Sequence, residues 1–219
     1  MLRRDYILRM IEEFAEALAR IRELKKGRRW SEAGAAVDTE FARLIGLGPQ
    51  AVAKLSETEL FARIVQDGPT HAVRDKTLTL ATLLAEAGDV AAGQEQKAEA
   101  AACYLKALNL LLEVLGQSDA FECPAYVPKV DRLVTALGDA PLPARTLVLL
   151  MQHHERQGEF GRAEDCLFNL LDADATNRAT IDFGAAFYRR LLAQSDECLA
   201  EGNLPRAEVE EGLKNLQAR

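Results

Sequence analysis

The chain has 219 residues, enough for one large domain or two small ones, and its 48% hydrophobic and 28% charged content excludes a disordered polymer. Aromatics make up 6% and alanine and leucine far outnumber β-branched residues, a balance that favours helix over strand. The net charge of −7 is uneven: residues 1–30 hold nine Lys/Arg against five Asp/Glu, and the rest is acidic. An acidic body repels phosphates, which speaks against a nucleic-acid partner.

In chain order, the opening "MLRRDYILRMIEEF" is basic, but acids interrupt it before a signal-peptide block can form. No apolar run approaches the roughly 18 residues that span a membrane, so no membrane partner is expected. The first helix is expected over about 5–26. Tyr6, Met10, Phe14, Leu18 and Ile21 recur at steps of three and four, with Ile7, Ile11 and Leu24 widening the stripe. Gly27 should end this helix behind Lys25 and Lys26, whose charges suit the negative end of the helix dipole. A second helix over about 30–45 stops at "GLGP". Ser56 and Glu59 form a capping box that opens a short helix reaching about Gln66. "DGP" at 67–69 breaks the chain, and Thr70 can cap the next helix.

Two long helices are expected over about 71–92 and 95–116, then a loop over 117–128, a helix to about Leu137 and a break at "GDAPLP". Two helical hairpins complete the chain, 143–157 with 160–172 and 178–201 with 204–217. No segment alternates over a strand's length. The expected fold class is all-α, as a single domain over 1–219 that would subdivide near 117–128.

An internal repeat runs through the hairpins. Leu147, Leu150, His154, Gly158, Phe160, Ala163, Leu167 and Leu170 fall at offsets that resemble the tetratricopeptide repeat (TPR). There a small residue sits where the two helices cross, and larger ones fill the groove on either side. Gly202, Leu204 and Ala207 repeat the pattern, with Pro205 in the first turn of its helix. So do Leu84, Gly88, Ala100, Tyr104 and Ala107, and, more loosely, Trp30, Ala33 and Val37, where Gly27 lies one position early. The spacing is irregular, since Gly158 and Gly202 lie 44 apart, and helices near 56–66 and 127–138 are inserted. The resemblance thus implies an irregular α-α superhelix of TPR-like hairpins. "RRDYILRMIEEFAEALARI" followed by "RRWSEA" also resembles the opening of an uncharacterised bacterial family of TPR-like helical proteins, a resemblance that brings no activity with it.

Candidate chemistry is sparse. His153, His154 and Glu155 offer metal-ligating atoms, but successive helical residues point about 100° apart and cannot share a metal face. His154 falls at a groove-filling offset, His153 reads as a surface residue, and His71 is isolated at a helix start. Cys166 follows His154 by twelve residues, yet it lies beside a packed seam with no orienting acid and reads as an inert thiol. "GLGPQA" superficially fits the dinucleotide fingerprint, but a helix precedes it and Pro49 occupies the turn. Cys103, Cys123, Cys166 and Cys198 have no Cys-x-x-Cys spacing and read as reduced thiols of a cytoplasmic protein. Neither a cofactor nor a metal is implied.

In a TPR-like superhelix the first helices line a concave surface suited to peptides. Inward offsets here fall on Arg22, Lys25, Arg145, Gln152, Arg156 and Arg189, which would favour a protein or peptide partner with an acidic segment. The expected function is a non-catalytic, cytoplasmic binding scaffold. The alternatives are a homo-oligomeric structural protein joined through its N-terminal helix, and a metal- or thiol-dependent enzyme around His153, His154 and Cys166.

Overall fold

Three helix-to-helix connections far apart in the sequence turn in the same way. Arg28, Glu95 and Gly158 take left-handed backbone angles, with φ of 54°, 64° and 74°. The residues after them, Arg29, Gln96 and Glu159, have φ/ψ of −84/62°, −86/66° and −88/63°. In each turn the left-handed residue donates its amide to the carbonyl three residues back. The next amide donates to the carbonyl five back, Leu24, Ala91 or His154, at 2.9 Å. Two otherwise orphaned helix-end carbonyls are thereby satisfied, which offsets the ~1–2 kcal/mol that a side-chain-bearing residue pays in this region.

The side chains after each turn repeat as well. Five residues past the left-handed position stand Ala33, Ala100 and Ala163, all buried where the second helix crosses the first. Nine past it stand Val37, Tyr104 and Leu167, and thirteen past it Phe41, Leu108 and Leu171, again buried.

The structure, a computed structural model, describes residues 2–65, 70–117 and 121–218, without the side chains of 2–11, 49, 50, 53 and 70–72. The stripe expected at Tyr6, Ile7, Met10 and Ile11, the break at 67–69, the cap at Thr70 and the side chain of His71 therefore lie outside the described residues. Regular structure among the described residues is all helical. The chain divides into two compact units, Met1–Ala140 and Pro141–Arg219, so the break falls in "GDAPLP" rather than near 117–128. That loop is tied into the first unit: Val127 is buried, and Tyr126 meets Phe14 edge-on at 5.4 Å.

The first unit holds α1 (Leu2–Lys26), α2 (Trp30–Ile45), α3 (Pro49–Lys54), α4 (Glu57–Val65), α5 (Thr70–Gly93), α6 (Lys97–Leu115) and α7 (Val130–Leu137). Helix α5 is its centre, packed by α1, α2, α4 and α6. Every residue from Thr77 to Glu86 is buried, the signature of a helix enclosed on all sides. Its threonines satisfy their hydroxyls internally: Thr77, Thr79 and Thr82 donate to the carbonyls four residues back at 2.7–2.9 Å. The capping box forms as expected, with the Ser56 amide donating to Glu59 Oε2 at 2.8 Å and the Glu59 amide to Ser56 Oγ at 3.3 Å. Pro49 does not merely interrupt the chain. It opens α3, since a first-turn residue needs no amide proton.

The second unit holds α8 (Ala144–Gln157), α9 (Phe160–Ala173), α10 (Arg178–Leu191), α11 (Asp196–Glu201) and α12 (Arg206–Gln217). Helix α8 packs on α9, α9 on α10, and α10 on α12. The helix expected over 178–201 is two, because Ser195 caps α11 by accepting from the Cys198 amide at 3.2 Å. Asn203 makes a fourth left-handed turn with the same pair of hydrogen bonds, but Pro205 then adds an extended residue before α12. The left-handed residue is Asn203, one place after Gly202, and Pro205 adds one position more, so burial falls two residues later, on Val209 instead of the exposed Ala207.

Candidate functional site

The expected basic residues fall in both units. In the first unit, Arg22 and Lys25 lie three apart on α1, facing Glu86 and Asp89, three apart on α5. Arg22 Nε donates to Glu86 Oε1 at 3.0 Å and its Nη2 to the Tyr126 carbonyl at 3.2 Å. Lys25 Nζ pairs with Asp89 Oδ2 at 2.5 Å and also with Glu86 Oε2. Arg132 of α7 reaches Asp89 at 2.5 Å, and the Tyr104 hydroxyl donates to its other oxygen at 2.8 Å. Burial and the Asp89 carboxylate push the Tyr104 hydroxyl far above its ordinary range, so it stays a proton donor.

Glu86 is 2% exposed. A carboxylate so buried is tolerable because two cations meet it. The charges of Arg22 and Lys25 are therefore used to join α1 and α5.

The second unit holds Arg145, Arg156 and Arg189. Helix α8 buries Thr146, Leu147, Leu150, Met151 and His154. Its opposite side carries Arg145, Gln152 and Arg156, at steps of seven and four, hence on one line. Arg145 and Arg156 are exposed, and Val148 and Leu149 lie half-buried between them. Glu155 is held bidentately by Arg190 of α10, both contacts 2.7 Å, which sets α8 beside α10. Arg189, the exposed neighbour of that clamp, stands on α10.

The histidines serve the turn. His154 is buried, and its Nδ1 lies 2.6 Å from Glu159 Oε2, which also accepts from Arg162 Nη1 at 3.0 Å. His153 is half-buried rather than a plain surface residue; burial and the adjacent His154 lower its proton affinity. No group of three metal-ligating side chains occurs among the described residues. Burial pushes the Cys166 thiol up to about 11, where little thiolate forms. Iodoacetamide at pH 8 should therefore modify the exposed Cys123 before Cys166, read by peptide mass spectrometry. Cys166 should react fully once the chain is unfolded; native modification of Cys166 at the same rate would contradict this assignment.

The partners of Arg22 and Lys25 escape sequence reasoning. A parallel i, i+3 spacing of acids on α5 is the available signal, but pairing it with α1 requires the tertiary fold. No curated protein and no solved structure matches the chain. A family model described as a family of unknown function, DUF6483, matches residues 1–219. The chain belongs over its whole length to that family.

Proposed function

We propose that this protein is a non-catalytic binding module and that the outward face of α8 holds an acidic peptide segment of a partner protein. The observation that carries this reading is the line Arg145–Gln152–Arg156 with Val148 and Leu149 between its charged ends. A half-buried apolar centre flanked by guanidinium groups suits an amphipathic acidic segment, since arginine pairs bidentately with carboxylates. Charge distribution supports it. Residues 141–219 hold thirteen Asp/Glu against nine Lys/Arg, and this line stands as a basic exception on an acidic unit.

The repeated turns and buried alanines support a TPR-like array, an architecture suited to peptide recognition. Four free thiols among the described residues fit a reducing cytoplasmic setting. No helix among the described residues is long and apolar enough to cross a membrane.

The test is fluorescence anisotropy with a panel of labelled amphipathic acidic peptides. A binding peptide should lose about tenfold or more in affinity to the Arg145→Glu/Arg156→Glu double variant, and its binding should weaken with salt. Affinity unchanged by both the variant and salt would reject the α8 face.

A further inference from the structure

The two adjacent histidines of α8 diverge. His154 is buried, with its Nδ1 2.6 Å from Glu159 Oε2. The His153 ring stands beside it, centroids 5.5 Å apart and planes at 61°, and is half-buried. Four residues after Leu149 and three before Arg156, His153 falls on the side of the helix that carries Arg145, Gln152 and Arg156. It is the one side chain of that line that changes charge between about pH 5 and 8, since arginine stays protonated throughout.

The charged groups around His153 come from α8, the turn after it and α9. His154 and Arg156 stand on its own helix, while Glu159 and Arg162 approach from the turn and from α9. Burial, then His154 and Arg156, hold its proton affinity below the ordinary imidazole range; Glu159 opposes them and Arg162 adds to them. Glu159 is the one carboxylate of this group, and its Oε2 is shared by His154 and Arg162 at 2.6 and 3.0 Å. Helix α10, beside α8, brings Arg190, whose two 2.7 Å contacts go to Glu155. A carboxylate carried to this line by a ligand would add the negative charge that favours the imidazolium form.

We propose, on the reading that the α8 face holds an acidic peptide, that His153 makes this binding proton-coupled: a carboxylate of the peptide docks beside the imidazole, which takes up a proton as the complex forms. The sign follows from linkage. Affinity is lowest where His153 is neutral, rises as pH falls through the imidazole pKa of the complex, and levels off below that of the free protein. The two arginines supply attraction that is constant over this range, and His153 supplies the part that varies. The face thus holds an acidic segment more tightly as the surroundings acidify.

The probes are the labelled amphipathic acidic peptides and copies with every Asp and Glu replaced by Asn and Gln, bound to the full-length protein at constant ionic strength. From about pH 8 to about pH 5.5 the peptide carboxylates stay mostly ionised, and the affinity of an acidic peptide should rise about tenfold. The amidated copy should show no such rise, and His153→Gln should flatten the profile for the acidic one. Imidazole proton resonances of the wild type give the same answer without a variant: the His153 pKa should be about one unit higher in the complex than in the free protein. An acidic peptide that binds with one affinity across this range, an unaltered profile in folded His153→Gln, or a His153 pKa unmoved by the peptide would each overturn the proton coupling while leaving the α8 face standing. Absence of peptide binding at every pH, or full affinity in Arg145→Glu/Arg156→Glu, would reject the face itself and the coupling with it.

Discussion

Gly202→Ala should destabilise the 141–219 unit by about 1–3 kcal/mol, the range for forcing a methyl group into packed surroundings. A Cβ at Gly202 would stand 2.2 Å from the Phe160 ring and 2.5 Å from the Gly158 carbonyl oxygen. The ring can give way, but the carbonyl belongs to the α8–α9 turn and cannot move without it. These two turns meet backbone to backbone: the Gly161 amide donates to the Gly202 carbonyl at 2.9 Å, and a Cβ at Gly161 would lie 2.8 Å from the Asn203 carbonyl oxygen. Glycine is needed here for close approach. Urea denaturation of Gly202→Ala beside Gly27→Ala reads the effect, because a Cβ at Gly27 meets its neighbours at ordinary distances of 3.6–3.7 Å. Equal stability of the two variants would show that the turns do not pack as described.

The second large effect is expected at Lys25. Lys25→Met removes the ammonium from Glu86 and leaves a carboxylate that is 2% exposed with Arg22 as its remaining cation. Breaking a buried pair from one side costs about 3–5 kcal/mol, and the low end applies because Arg22 still donates. Arg22→Met should cost less, about 1 kcal/mol, since that side chain is 46% exposed and water screens it. Adding Glu86→Gln to Lys25→Met should recover part of the loss, because the uncompensated charge is gone. A double-mutant cycle from denaturation midpoints measures this coupling. Additive losses would mean that the pair contributes nothing beyond its separate side chains.

Much of the architecture is legible because helix crossings leave a periodic trace. Ala33, Ala100 and Ala163 are small at matching offsets, and each is buried where its hairpin closes. Gly88 is readable for the same reason: a Cβ there would lie 2.5 Å from the Tyr104 ring. The turns are less legible. Gly158 and Asn203 are residue types that favour a left-handed backbone, but Arg28 and Glu95 take that conformation with no such mark in the sequence. This is why Gly27 lies one position early: the helix ends beside it, and the left-handed residue is Arg28.

Other misses have local causes. Pro49 reads equally as a break and as a helix start, and the structure uses it as a start. Pro205 reads as part of the first turn of α12, whereas it is extended and precedes the helix; with the left-handed residue at Asn203, one place after Gly202, this moves burial from Ala207 to Val209. Among the candidate site residues, offsets mark Arg22, Lys25, Arg145, Arg156 and Arg189 alike. The pairing of Arg22 and Lys25 with Glu86 and Asp89 comes from the packing of α5 on α1 and not from any short-range pattern.

The most direct measurement is paired capture from lysate of the source cell, with wild-type protein beside Arg145→Glu/Arg156→Glu, both shown to be folded by circular dichroism. A binding face on α8 predicts a partner with an acidic segment that the wild type retains and the double variant loses. Equal recovery by both proteins, or recovery by neither, would contradict it.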